Sequence, residues 1–402
     1  MRVLTFTSLF PNQIEPTGGI FIYQRMNHFA RRSGNEVVAV APVPYFPEWL
    51  PKSKWTAYGQ VPRSERIGNL EIYHPRFLLL PKISMPLHGW LMFIGSIRLV
   101  RRLHREKKFD LIDAHYVYPD GFAAVLLGKL LSLPVIVSAR GTDINLFPSF
   151  HLIRPMISWT LRRVSGAIAV CTPLLEAMLK LGLPAGTGAA IGNGVDINRF
   201  QPLDQVAARQ KLGLPERRRI IVSVGGLIPR KGYQFLIPAL VQVVRRYPKV
   251  QLYIVGGGPS RSDLELLIRK LDLKNYVNLA GPQPNEDLHL WYSAADVSCL
   301  TSSREGWPNV ILESMACGTP VVATRVWGTP EVIVSPELGI MVDQTVESIA
   351  GGLEDALAKR WDRKLIERFA RQRTWDVVAG EVEEFLQARL NLTSVRKCNH
   401  AR

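Results

Sequence analysis

The 402 residues are 47% apolar and 21% charged, enough for two or three separately cored domains at roughly 150 residues each, and a disordered chain is excluded. Fifty Lys and Arg against 34 Asp and Glu leave a net charge of +16, so anionic partners enter consideration. Cys171, Cys299, Cys317 and Cys398 lie far apart with no CxxC pair, which excludes a disulfide scaffold and a cysteine-ligated zinc and suits a reducing cytosol.

Residues 3–7 follow Met1-Arg2 and stop at Pro11-Asn12 without a small-residue cleavage site, so a first buried strand is expected there rather than a secretory leader. Similar apolar runs, many rich in Val and Ile, recur at 36–40, 111–114, 135–139 and 166–170. They resume at 219–224, 251–255, 277–279, 297–300 and 321–324, and many end at Gly, Ser, Thr or Pro. Amphipathic stretches such as 25–32, 174–181 and 236–246 lie between several of them. Strand alternating with helix predicts parallel sheets covered on both faces. Ten strands are too many for one small doubly wound unit and the pattern restarts near 219, so two similar α/β domains are expected. Their boundary is placed within 201–218, in the turn-rich sequence after Gly192-Asn193-Gly194-Val195-Asp196.

The longest weakly charged stretch, 83–97, has about 15 residues with Pro86 and His88 inside it, short of the roughly 20 that a bilayer-spanning helix needs. Most of the charge excess lies in residues 1–200. Part of it is the cluster Arg98, Arg101, Arg102, Arg105, Lys107 and Lys108, just after Trp90-Leu91-Met92-Phe93-Ile94. Two readings stay open for that segment: a face lying on an anionic membrane surface, or a core-packed helix with a solvated basic end. Near the C-terminus, residues 374–390 read as one helix, with Thr374 as N-cap and Val377, Val378, Val382, Phe385 and Leu386 on one side.

Four glycine-rich turns are candidate phosphate sites. Thr17-Gly18-Gly19-Ile20 precedes a helix and would aim backbone amides at an anion. The loop from Gly225 to Gly232 carries Arg230 and Lys231 just past a strand, where a bidentate guanidinium and a point charge suit a diphosphate. Gly256-Gly257-Gly258-Pro259 fails the dinucleotide pattern, because Arg261 stands where a third glycine is needed. A Walker A loop is absent as well.

The fourth turn, Arg304-Glu305-Gly306-Trp307-Pro308-Asn309-Val310, runs on to Glu313 and Cys317-Gly318-Thr319-Pro320. Glu305 follows a strand and so sits at a sheet's carboxyl edge, where open α/β folds bind ligands. Gly306 to Asn309 turn into a helix whose first amides point to the same place, with Glu313 one to two turns along. Two carboxylates with free amides between them can grip vicinal hydroxyls on either side of a diphosphate.

The run from Glu305 to Gly328-Thr329-Pro330-Glu331 resembles the signature of the family 4 retaining glycosyltransferases of GT-B fold. Further pieces fall in that family's order: Gly18-Gly19, Asp113-Ala114-His115, Gly141-Thr142-Asp143, Asn193-Gly194-Val195-Asp196 with Phe200, Lys231-Gly232 and Val255-Gly256. The resemblance covers essentially the whole chain. It implies two Rossmann-like doubly wound domains facing across a cleft. Residues 1–200 would bind the acceptor, 201–373 the nucleotide sugar, and the helix from 374 to 402 would cross back to the first domain.

By the same resemblance, Gly19 would approach the donor diphosphate or the acceptor, and His115 the sugar's outer hydroxyls. Lys231 with Arg230 would neutralise the leaving diphosphate, and Glu305 would hold the transferred sugar. The turn residues Trp307, Pro308, Asn309 and Val310 would bind the donor at its sugar and phosphate, Glu313 the ribose, and Asp143 with Arg140 the acceptor side. The family's usual Gly-Arg-Leu is Gly225-Gly226-Leu227 here, and Arg230, four positions on, is not expected to replace that arginine. Gly257 stands for a family acid, and Arg140 for a frequent histidine, which favours an anionic acceptor.

The implied activity is transfer of a hexosyl group from a nucleoside diphosphate sugar to a lipid-linked or polysaccharide acceptor. Retention by same-face attack is the family's route. No Asp-x-Asp triplet occurs, so no metal and no cofactor are expected. A nucleotide-sugar epimerase of the same fold and an inactive nucleotide-sugar-binding homologue are the alternatives, the latter on the strength of Gly226. Nucleic-acid binding has only the diffuse charge in its favour and no basic-aromatic module. A cytoplasmic protein, peripheral on the inner face of the membrane, fits these expectations.

Overall fold

The computed structural model describes residues 1–45, 56–79 and 84–400; Ile83 and the Cys398 side chain fall outside what is described. Contacts divide the chain into two units, Met1–Asn193 with Trp375–Arg402, and Gly194–Thr374.

Ten strands belong to the first unit: β1 (Arg2–Phe6), β2 (Glu36–Val40), β3 (Val43–Tyr45), β4 (Ser64–Ile67), β5 (Leu70–Tyr73), β6 (Arg76–Leu78), β7 (Leu111–His115), β8 (Val135–Ala139), β9 (Gly166–Ala169) and β10 (Gly188–Ala190). Eight form one sheet in the order β10-β9-β8-β7-β1-β2-β5-β4, parallel except where β4 runs antiparallel to β5. β3 and β6 pair separately. Strand order reverses between β1 and β7, so the loops leaving these two strands diverge and open a crevice at the carboxyl edge. The helix Trp375–His400 belongs to this unit. Its Trp375, Val378, Ala379, Val382 and Leu386 pack with Ile22, Met26 and Phe29 of the helix Ile20–Arg31. His28 Nδ1 lies 2.7 Å from Asp376 and Asn35 donates to Glu383 at 2.6 Å along the same seam.

The second unit holds β11 (Arg219–Val224), β12 (Val250–Val255), β13 (Val277–Gly281), β14 (Val297–Leu300), β15 (Val321–Thr324) and β16 (Gly339–Val342). They form one fully parallel sheet, β13-β12-β11-β14-β15-β16. Side-chain alternation serves both faces: Ile220, Val222 and Val224 enter one apolar core while Ile221, Leu252 and Ile254 enter the other. Here the order reverses between β11 and β14. Both units are therefore doubly wound.

All ten strands read from the sequence are present, within a residue or two at their ends. The passage from one unit to the next comes earlier than 201–218, at Asn193–Gly194. The reason is packing: Val195 bridges to Thr374, and Phe200 is buried against Tyr292 in the second unit's core. The apolar stretch and most of the basic cluster share a single helix, His88–Lys107, ended by Lys108 at a positive φ of 54°. Among the described residues no helix is long and apolar enough to cross a membrane. Cys171, Cys299 and Cys317 are buried thiols outside any disulfide.

Candidate active site

In the second unit the loops leaving β11 and β14 sit on either side of the point where strand order reverses. The β11 loop first folds against its neighbour. Gly225 N–H donates to Val255 O at 2.9 Å and Leu227 N–H to Gly257 O at 2.9 Å. Gly256 has a φ of 151°, and a Cβ there would lie 2.0 Å from Gly225 O. The glycines of 225–226 and 256–258 thus let two backbones meet, which removes most of the need to read them as phosphate cradles. Gly226 differs: a Cβ on it would meet nothing closer than Gly257 O at 3.7 Å.

Farther along, the loop turns through Pro229–Lys231 and is pressed onto the end of β14. Ser303 N–H donates to Arg230 O at 2.9 Å and Thr301 Oγ1 to Lys231 O at 3.0 Å. Gly232, with φ 74°, allows this: a Cβ would sit 2.0 Å from Thr301 O. The docking delivers both cations to one carboxylate. Lys231 Nζ lies 2.7 Å from Glu305 Oε1 and Arg230 Nη1 lies 3.3 Å from Oε2. Ser302 Oγ donates to Oε1 at 2.6 Å, and Arg230 Nη1 also donates to Arg304 O at 2.7 Å. Burial pushes the Glu305 carboxyl up, but Lys231, Arg230 and Ser302 more than offset it and hold the group below the usual carboxylate range.

Glu313 lies in the helix Asn309–Ala316, which Pro308 caps without a side-chain hydrogen bond. It is buried and accepts from Tyr292 OH at 3.1 Å. Burial pushes its pKa up to about 7, with Tyr292, Arg199 and Lys231 pulling the other way. The field of Lys231 therefore reaches both glutamates, and burial lets Glu313 keep its proton to a higher pH than an ordinary carboxyl. Two polar atoms beside the helix start, Trp307 Nε1 and Asn309 Oδ1, are buried without a hydrogen-bond partner among the described residues. Ribose and sugar hydroxyls have the chemistry to satisfy such groups.

Gly19, His115, Arg140 and Asp143 belong to the first unit, at its own carboxyl edge. Gly19 caps the helix Ile20–Arg31 at φ 65°, and a Cβ there would lie 2.1 Å from Leu9 O. His115 ends β7 and is fully buried. Its Nδ1 is 2.7 Å from Arg140 Nη2, so Nδ1 is the acceptor and the ring proton sits on Nε2. Nε2 lies 3.1 Å from Asp113 Oδ2. Burial, opposed by Asp113, pulls the imidazole down to about 4, so it is neutral at pH 7. Arg140 Nη1 also donates to Asn193 Oδ1 at 3.1 Å. Asp143 accepts three backbone N–H groups, from Val117, Arg140 and Gly141, at 2.9 to 3.1 Å. Asp143 thus fixes the loop after β8, where Gly141 takes a φ of 139°.

Motif reading included Asp113 beside His115 without giving it a role, and missed Tyr292 and Ser302, which hold the glutamates, and also Asp120. That last carboxyl is buried, accepts from Ser8 N–H, and is pushed up to about 7 by burial. No group of three or more His, Cys, Asp or Glu among the described residues is arranged to hold a metal ion.

Comparison with known proteins is consistent with this geometry. Residues 21–199 match the family described as Glycosyltransferase Family 4, and residues 204–373 the family described as Glycosyl transferases group 1. The GDP-mannose-dependent alpha-(1-6)-phosphatidylinositol monomannoside mannosyltransferase of Mycolicibacterium smegmatis is 28% identical over 328 residues, 78% of this chain and 80% of that protein. Among solved structures, a sucrose-phosphate synthase from Thermosynechococcus elongatus has a TM-score of 0.74 at 21% identity, over 96% of this chain and 98% of that one. Anabaena HepE, solved in complex with UDP-glucose, has a TM-score of 0.71 at 21% identity, over 96% and 99%. At that identity the structural likeness shows the fold.

Proposed function

The chain belongs to the family 4 glycosyltransferases of GT-B fold, and from that premise we propose that it is a retaining, metal-independent hexosyltransferase acting on a lipid-linked or polysaccharide acceptor. The donor is a nucleoside diphosphate sugar. Two relatives support that choice by what their names say they use or bind, GDP-mannose and UDP-glucose.

The observation that carries the reading is the placement of Lys231 and Arg230 on Glu305 at the carboxyl edge between β11 and β14. When the bond from sugar C1 to phosphate breaks, charge grows on the diphosphate. A lysine already oriented by a buried carboxylate stabilises that charge without reorganising. The new bond forms from the acceptor oxygen to C1 on the same face, and the acceptor's proton passes to the departing phosphate oxygen. No carboxylate is needed as nucleophile. Glu305 holds Lys231 and the sugar hydroxyls, and Glu313 accepts from the ribose. On this reading His115 and Gly19 take the roles the resemblance implies, at the sugar's outer hydroxyls and at the diphosphate or acceptor, and Arg140 contributes on the acceptor side with the loop that Asp143 fastens.

A membrane-side acceptor suits the helix His88–Lys107, which exposes Trp90 and Ile94 beside its arginines. We place the protein in the cytoplasm, peripheral on the inner face of the membrane. Three measurements test the proposal. A panel of nucleotide sugars should contain one that raises the melting temperature in a saturable way. The product should keep the donor's anomeric configuration by NMR. EDTA should leave the rate unchanged; loss of activity restored by Mg²⁺ or Mn²⁺, or an inverted product, contradicts it.

A further inference from the structure

The first unit carries a cavity of about 760 Å³ between the β4–β6 edge and the helix His88–Lys107. Six arginines line it, Arg63, Arg76, Arg98, Arg101, Arg102 and Arg105, and among the described residues no Asp or Glu does. Among the described residues only Arg102 has a carboxylate within reach, the exposed Glu106 at 3.9 Å. Arg98, Arg101 and Arg105 follow each other at helical i, i+3 and i+7 spacing and so share a face. Arg76 is fixed from behind, donating through Nη2 to Val61 O and Gly59 O, while its Nη1 is buried with no partner among the described residues. The helix is seated close on this strand: a Cβ on Gly95 would lie 2.4 Å from Arg76 O.

Gathering six like charges with only Glu106 beside Arg102 and Glu65 behind His74 to offset them is costly, and the fold holds Arg76 in place with main-chain carbonyls despite it. Burial and the nearby Arg63 pull the Arg76 guanidinium below its ordinary range. All six cations are arginine, whose planar fork pairs bidentately with phosphate oxygens. The volume exceeds what one phosphate fills and is in the range of small-ligand sites.

We propose that this cavity binds a diphosphate ester, the anionic group that joins an acceptor's glycan to its carrier. Its assignment to the acceptor rests on the transferase reading above; the anion site itself does not. Tyr73 ends β5 and His74 follows it, parallel to β2 and on the carboxyl side of the sheet that also carries His115, so the acceptor's charged end and its reacting end share one edge.

The test titrates inorganic pyrophosphate into the full chain at about 0.15 M salt by calorimetry. Three variants are compared with wild type: Lys231→Ala, the triple Arg98→Ala/Arg101→Ala/Arg105→Ala, and the triple lysine replacement at the same positions. Wild type should show one binding event that Lys231→Ala weakens and a second that it leaves unchanged; that second event should be at least tenfold weaker in the alanine triple and several-fold weaker in the lysine triple. No binding to wild type, or equal affinity in the alanine triple, overturns the site. An unchanged lysine triple does too, because it would reduce the cavity to unspecific charge. Flotation with vesicles separates a lipid-borne from a soluble source. Vesicles carrying a polyprenyl diphosphate should retain wild type better than charge-matched phosphatidylglycerol vesicles if the diphosphate is lipid-borne. Soluble pyrophosphate binding without that preference assigns the site to a soluble diphosphate. Cleavage of the nucleotide sugar by the same variants is read separately, so failure of the transferase reading leaves the pyrophosphate result interpretable.

Discussion

The ammonium of Lys231 lies 2.7 Å from the carboxylate of Glu305, and the two come from loops leaving different strands, β11 and β14. Each residue holds the other in place. Lys231 keeps a deeply buried carboxylate ionised, and Glu305 keeps a four-carbon side chain from wandering. Arg230 completes a three-charge cluster with one excess positive charge. Such a cluster is electrostatically poised for an incoming dianion.

The cluster is asymmetric, and stability should show it. Glu305→Gln leaves two cations side by side, one of them Lys231 with its side chain 12% exposed, and is expected to cost about 3 kcal/mol. Arg230→Met removes a longer contact from a side chain 35% exposed, at 3.3 Å, and should cost about 1 kcal/mol or less. Urea unfolding of both variants checks the ranking.

Glu313 sets a pH dependence with a definite sign. Burial raises its carboxyl from 4.5 to about 7. Between those values the folded state holds a proton that the unfolded chain has lost, so stability falls as pH rises through the window. The loss is on the order of 3 kcal/mol from this group. Asp120, raised from 3.8 to about 7, adds to the same trend. Glu313→Gln should flatten the profile by its own share and leave that of Asp120. On the proposed ribose contact, hydroxyls donating to Glu313 favour its ionised form, so nucleotide binding near pH 6 should release a proton, visible as buffer-dependent heat in calorimetry.

Two neighbouring glycines should behave oppositely. Gly256→Ala drives a Cβ to 2.0 Å from Gly225 O at φ 151° and should cost about 3 kcal/mol or more. Gly226→Arg meets only Gly257 O at 3.7 Å, so stability should change by no more than about 0.5 kcal/mol. A guanidinium added there is expected to raise the rate of donor cleavage about tenfold. Thermal melts and initial rates read both.

Asp143 is a loop fastener by its contacts. Asp143→Ala leaves the N–H groups of Val117, Arg140 and Gly141 without their acceptor and should cost about 3 kcal/mol. Hydrogen exchange at these three amides should quicken together.

What was legible in the sequence follows from what each feature depends on. The ten Val- and Ile-rich strands and the alternation that makes two parallel sheets depend on local patterning, which a single chain displays. β3, β6 and β10 are three residues long, and β4–β5 contain Glu65, Arg66 and Glu71, so periodicity could not find them. Lys231, Glu305 and Glu313 stood out because the loops that carry or lead into them are built from unusual residues at fixed spacing. Tyr292 and Ser302 did not, since an ordinary helix tyrosine and a strand-end serine gain meaning only from the carboxylate placed beside them. Glycines gave the most misleading signal. Those of 225 and 256–258 resemble phosphate turns, and the structure uses them mainly to bring main chains together.

The most direct measurement is the single-turnover rate of sugar–phosphate bond cleavage at saturating donor, for wild type and Lys231→Ala. Since the lysine's help grows with charge on the leaving group, the rate should fall by roughly 10²–10³ while donor affinity changes less than about fivefold. Equal losses in rate and affinity, or a cleavage rate that survives the substitution, would contradict a leaving-group role for Lys231.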